Sequence, residues 1–109
     1  MKQAVVRFLQ KHPIVAFIKG TREAPRCGFS NKVVQILNDT GCDYATVNVL
    51  DSEEIRSGMK VMSGWPTFPQ VYFEGEFFGG CDILVEAARS GDLHSQLAKI
   101  AKNSSNTSP

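Results

Sequence analysis

Three thiols in this chain can act as nucleophiles or bind a metal: Cys27, Cys42 and Cys81. An odd count without paired short spacings makes a poor disulfide framework, which points to a reducing compartment. Three is also one fewer than the four thiolates of a Cys-only iron–sulfur or zinc site. His12, which precedes Pro13, and His94, in a helical context, add no metal-ligand spacing. Any metal held here must therefore borrow ligands from outside the chain.

Cys27 is the thiol with chemistry written around it. It follows the loop Lys19–Arg26 (KGTREAPR), marked by Gly20 and Pro25, and it stands where a helix starts. Unpaired backbone N–H groups and the positive end of the helix dipole then face its sulfur, and Lys19 and Arg26 add positive charge. Each effect favours the thiolate, the form that attacks disulfides or binds metal. A polar loop at a helix start argues against the plainer role of a buried packing cysteine, which suits Cys42 better. Ser30 stands three residues on, where a dithiol redox motif carries its second cysteine. A hydroxyl cannot resolve a mixed disulfide, so a two-cysteine cycle within this motif is excluded.

The elements that must position Cys27 follow from periodicity and punctuation. The chain has 109 residues, room for one domain around one core. Val5, Phe8 and Leu9 keep helical spacing until His12-Pro13 stops them. Ile14–Ile18 (IVAFI) is a continuous apolar run, as in a strand buried on both faces. A helix from Cys27 carries Val33, Val34 and Leu37 inward and ends near Gly41. Tyr44–Val49 alternates like a strand. Asp51, three residues before Glu54, forms an acidic capping box that opens a helix to about Met62. Gly64 and two prolines keep Ser63–Pro69 non-helical. Val71–Phe73 and Glu76–Phe78, around Glu74-Gly75, read as a hairpin. Asp82 caps a helix rich in Ile83, Leu84, Val85 and Ala88. Gly91-Asp92 ends that helix and caps the last one, with Leu93, Leu97, Ile100 and Ala101 on one face. The expected fold class is α/β, a four-stranded mixed sheet flanked by helices. The domain spans residues 1–102, and the small polar stretch 103–109 (NSSNTSP) reads as a disordered tail.

Composition narrows the function classes. Twelve basic residues against eleven acidic ones give a net charge of +1, without the clustered cationic footprint of a nucleic-acid binder. No apolar run approaches the roughly 20 residues that span a bilayer, so no membrane role is expected. The amphipathic stretch Met1–Lys11 lacks the apolar centre of a secretory signal.

Four short motifs occur together and in order: Lys19-Gly20-Thr21, Cys27-Gly28-Phe29-Ser30, Trp65-Pro66-Thr67-Phe68-Pro69-Gln70 and Gly79-Gly80-Cys81-Asp82. With them the chain, from about Phe8 to Ile100, resembles the monothiol glutaredoxins of the Cys-Gly-Phe-Ser type. The resemblance implies a thioredoxin-like fold that binds glutathione beside the active cysteine. It further implies a [2Fe–2S] cluster shared by two subunits and two glutathiones, which supplies the four thiolates that one chain lacks. Cys27 would be the iron ligand, and the nucleophile in any redox role. Lys19 would meet a glutathione carboxylate, as would Arg56 and Lys60, four apart on one helix face; the plain reading of those two is a solvated face. Phe68-Pro69 resembles the family's cis-proline turn, whose backbone meets the glutathione cysteine, although an aliphatic residue often stands where Phe68 does. Cys81 and Asp82 would offer helix-start N–H groups to a carboxylate, and Asp82 would also pair with the glutathione ammonium. Trp65 reads as a hydrophobic support for the turn.

The function so implied is cluster carriage in a homodimer and transfer to acceptor apoproteins, with BolA-like proteins as further partners. The alternative is a glutathione-dependent oxidoreductase reducing protein–glutathione mixed disulfides through Cys27 alone; enzymatic activity is at most weak on this reading. The same likeness favours an organelle, the chloroplast stroma before the mitochondrial matrix.

Overall fold

Ile14–Ile18 forms β1, and all five of its residues are buried. The reason lies in the computed structural model, which describes residues 2–106, with side chains through residue 103: β1 is an inner strand with helices on both faces. Around it run α1 (Lys2–Lys11), α2 (Gly28–Thr40), β2 (Ala45–Asn48), α3 (Glu53–Ser63), β3 (Gln70–Phe73), β4 (Glu76–Gly79), α4 (Cys81–Ser90) and α5 (Asp92–Asn106). The sheet order is β2-β1-β3-β4. β1 pairs parallel with β2 and antiparallel with β3, which pairs antiparallel with β4. This is the expected mixed sheet.

Strand alternation divides the core in two. Ile14, Ala16 and Ile18 pack with Val33 and Leu37 of α2, Leu84 of α4 and Ile100 of α5. Val15 and Phe17 face the other way, onto Val5 and Leu9 of α1 and Met59 of α3. Each fully buried aliphatic or aromatic side chain stabilises the fold by roughly 1.5–3 kcal/mol, so the two layers lock the sheet and the helix starts that rim it.

Several boundaries differ from the sequence reading. The cap of α3 is Ser52 rather than Asp51: the Ser52 hydroxyl accepts from the Ile55 amide at 3.2 Å. A start one residue later puts Ile55 and Met59 against the core and leaves Glu53 and Glu54 in the first turn, where the dipole favours them. Asp82 is likewise no N-cap. Gly80 holds that position with extended backbone and no side-chain bond, and Asp82 lies within the first turn of α4. Asp92 is the first residue of α5, with the Ser95 amide bonded to the Gly91 carbonyl. Leu93 and Ile100 are buried as expected, but Ala101 is exposed. Of the stretch 103–109 expected as a tail, α5 includes Asn103 to Asn106, and residues 107–109 lie outside the described residues.

Candidate functional site

The loop from Lys19 to Arg26 is tied down by its own backbone. The Arg26 amide donates to the Lys19 carbonyl at 2.8 Å, and Thr21 and Ala24 exchange backbone bonds of 3.3 and 3.1 Å. The Gly20 amide reaches across to Asn48 Oδ1 at 2.9 Å. Arg22 lies 4.0 Å over the ring of Tyr44 and donates to its carbonyl, fixing the loop to the entry of β2. Held in this way, the loop delivers Cys27 to the N-cap of α2, where its sulfur accepts from the Ser30 amide at 3.3 Å.

Ser30 is fully buried and works from both ends. Its Oγ accepts from the Lys19 amide at 3.0 Å and lies 3.3 Å from the Cys27 sulfur. With an N–H already on the oxygen, the hydroxyl proton is free to point at a Cys27 thiolate. Partial burial alone would raise the Cys27 pKa. The Ser30 hydroxyl, the Ser30 and Phe29 amides and the Lys19 charge outweigh it, leaving the thiol below its ordinary value. Of the two expected cations it is Lys19 that acts on the sulfur; Arg26 is exposed. Cys81 shifts the opposite way. Burial first, and then the charges of Asp82 and Cys27, push its thiol up against the pull of Lys32. All three cysteines are free and half-buried; Cys27 is the activated one, and Cys81 is shifted away from the thiolate.

Beside Cys27 opens a groove of about 300 Å³. Lys19 and Phe29 line its end near the cysteine; Trp65, Thr67, Phe68 and Pro69 line it from the α3–β3 connection; Gly80 to Ile83 line it from the start of α4. The Phe68–Pro69 peptide is cis, as the resemblance implied. Glycine is required where β4 turns into α4. A Cβ on Gly79 would sit 2.6 Å from Cβ of Ile83, and one on Gly80 would press to 3.3 Å from the Pro69 carbonyl. The groove therefore has apolar walls, a cation at Lys19, an anion at Asp82 and the unpaired N–H groups of a helix start.

Of the residues singled out from sequence, Lys19, Phe68, Cys81 and Asp82 line this groove and Cys27 stands beside it. Arg56 and Lys60 do not line it. Both are half-buried on α3, where Arg56 pairs with Glu53 at 3.3 Å. Arg56 Nε is nonetheless buried without a hydrogen-bond partner among the described residues. The sequence reading passed over Phe29, Thr67 and Ile83 as lining residues, and took Trp65 only as support. Exposures of 65% for Phe29, 43% for Trp65 and 49% for Ile83 mark them as surface apolar groups around the groove. No periodicity reveals such residues, because each lies where an element begins or in a loop. Ser30 carries a signal in the sequence: a residue three after an N-cap presents its amide to the cap.

Comparison with known proteins gives one family. The Glutaredoxin family profile matches residues 14–78. Glutaredoxin-related protein 5, mitochondrial, of Danio rerio is 55% identical over 93 residues, which cover 84% of this chain and 60% of that protein. Monothiol glutaredoxin-S14, chloroplastic, of Arabidopsis thaliana is 48% identical over 99 residues, 91% of this chain and 57% of that protein. The chain thus spans about three fifths of the length of these curated relatives. The solution structure of reduced poplar apo GrxS14 superposes with a TM-score of 0.82 at 49% identity, covering 92% of each chain.

Proposed function

Because the chain belongs to the glutaredoxin family, in its monothiol branch and with the thioredoxin-like fold, we propose that it carries a glutathione-ligated [2Fe–2S] cluster between two copies of itself and hands it to acceptor apoproteins. Glutaredoxins use glutathione. The observation that carries the reading is a single activated thiol, Cys27, beside a groove whose charges match that peptide. Glutathione bears two carboxylates, one ammonium and one thiol. Lys19 and the N–H groups of Cys81 and Asp82 suit the carboxylates, and the Asp82 carboxylate suits the ammonium. The Phe68 backbone, in the groove wall, suits the backbone of the central residue. Arg56, with an unpartnered Nε, and Lys60 would add charge from α3.

On this reading the side chains do no covalent chemistry beyond Cys27. They orient a borrowed thiol next to the Cys27 sulfur, and two copies then present four thiolates to the cargo. Ser30 and Lys19 favour the Cys27 thiolate, the form that ligates iron. BolA-like proteins are proposed as partners in place of a second copy, and an organelle, chloroplast before mitochondrion, as the compartment.

The test is cluster yield against glutathione concentration. A hydrogen bond to a charged group contributes about 1.5–3 kcal/mol, less where exposure and salt screen it. Lys19→Ala and Asp82→Ala each therefore require about tenfold more glutathione for half-maximal absorbance. Dithiothreitol, which has thiols but no carboxylates, gives the wild-type protein a lower yield. Coincident curves for all three proteins would show that the groove does not hold the ligand.

A further inference from the structure

Behind the groove lies one fully buried polar side chain that the proposed chemistry does not use: Gln70, the first residue of β3. Its Nε2 donates to two backbone carbonyls, of Trp65 at 3.1 Å and of Thr67 at 3.2 Å. Its Oε1 accepts from the Tyr72 hydroxyl at 3.1 Å. Both N–H donors are thus spent on the α3–β3 connection, on the carbonyls that bracket Pro66. That segment contributes Trp65, Thr67, Phe68 and Pro69 to the groove. It has no strand or helix pairing of its own between Gly64, the C-cap of α3, and Gln70. Tyr72 in turn is wedged between Phe17 and Phe77, with ring centroids 5.3 and 5.5 Å away. The amide therefore stands on a rigid base, and through it the sheet dictates where the loop runs.

We propose that Gln70 is a positioning residue for the ligand groove, setting the wall made by Trp65, Thr67 and Phe68 from behind. The role is specific to an amide. A carboxylate of the same shape presents only oxygens to two carbonyl oxygens, and a thioether presents no donor at all. Either change leaves the Thr67 carbonyl without its donor and the Trp65 carbonyl with only the Ser63 hydroxyl at 3.4 Å, and they regain partners in water by moving the connection outward. The inference rests on reading the groove as the glutathione site, but part of its test does not.

Trp65 is the only tryptophan of the chain and lies in this wall, so its fluorescence reports both the wall and its ligand. The experiment compares the wild-type apoprotein with Gln70→Met and Gln70→Glu, and with Tyr72→Phe, which deletes one hydroxyl and keeps the ring packing. Emission and acrylamide quenching are recorded without ligand, at a temperature where circular dichroism shows each variant folded, and reduced glutathione is then titrated in. Red-shifted emission, easier quenching and an about tenfold weaker glutathione response in the Gln70 variants, with a smaller shift in Tyr72→Phe, are expected. Folded Gln70 variants with wild-type emission and quenching would overturn the proposal, whatever their melting temperatures. If the Gln70 variants do not fold, unchanged Trp65 emission in Tyr72→Phe overturns it. A wild-type Trp65 signal indifferent to glutathione would instead count against the groove as the glutathione site, while the ligand-free comparison still decides the role of Gln70.

Discussion

Cys27→Ser, reconstituted anaerobically with iron, sulfide and glutathione, yields a folded protein with no visible cluster absorption. Serine is itself a favoured N-cap, so the Ser30 amide keeps an acceptor and α2 keeps its start. What is lost is the thiolate. A serine hydroxyl has no thiolate form, and neither remaining cysteine replaces it. Burial and the Asp82 charge hold the Cys81 thiol up, and the Cys42 sulfur is turned toward the Leu37 carbonyl, 3.7 Å away. Thermal unfolding within about a degree of wild type, alongside a blank spectrum, is the expected pair of results. A full [2Fe–2S] spectrum from the mutant would move the ligand to another residue.

Gly20→Ala is expected to be the most damaging small substitution in the loop. Gly20 adopts φ +101°, which L residues rarely occupy, and its missing Cβ would lie 2.6 Å from the Ala24 carbonyl oxygen and 2.7 Å from the Arg26 amide nitrogen. Both obstacles are backbone atoms, so no side chain can swing aside. The left-handed conformation and the overpacking each cost about 1–3 kcal/mol, giving about 2–6 kcal/mol together. For a domain of this size that lowers the melting temperature by about 10 °C or more. The damage also reaches the site, because relieving the clash parts Arg26 from the Lys19 carbonyl and pulls the Lys19 amide off Ser30. Cluster yield should therefore fall even at temperatures where the variant is folded. A melting temperature within a degree or two of wild type would mean that the loop opens without cost.

The fold was largely legible because its signals are redundant. The five apolar residues of β1, the breaks at Pro13 and Gly64 and the glycines at 41 and 91 each mark a boundary through their own chemistry. Boundaries decided by competition between neighbours were less so. Asp51 and Ser52 can both cap α3, and only the inward direction of Ile55 and Met59 selects the serine. Gly80 takes the cap position of α4 where the backbone must pass close to Ile83, four residues on from Gly79, and to the Pro69 carbonyl, eleven residues before Gly80. At the site, Cys27 and the groove-lining Lys19 and Asp82 could be named from type and motif. Phe29, Thr67 and Gln70 could not, since their roles depend on how the α3–β3 connection folds back beside α2 and α4. Arg56 and Lys60 stand four apart on α3, as their spacing implies, and neither lines the groove wall.

The most direct test of the account is the mass and composition of the coloured species. Wild-type protein reconstituted anaerobically with iron, sulfide and glutathione is passed over a sizing column with light scattering, and the coloured peak is assayed for iron, sulfide, glutathione and protein. One activated thiol per chain requires a dimer carrying two irons, two sulfides and two glutathiones, while the apoprotein elutes as a monomer. A coloured monomer, or a coloured dimer free of glutathione, would contradict it.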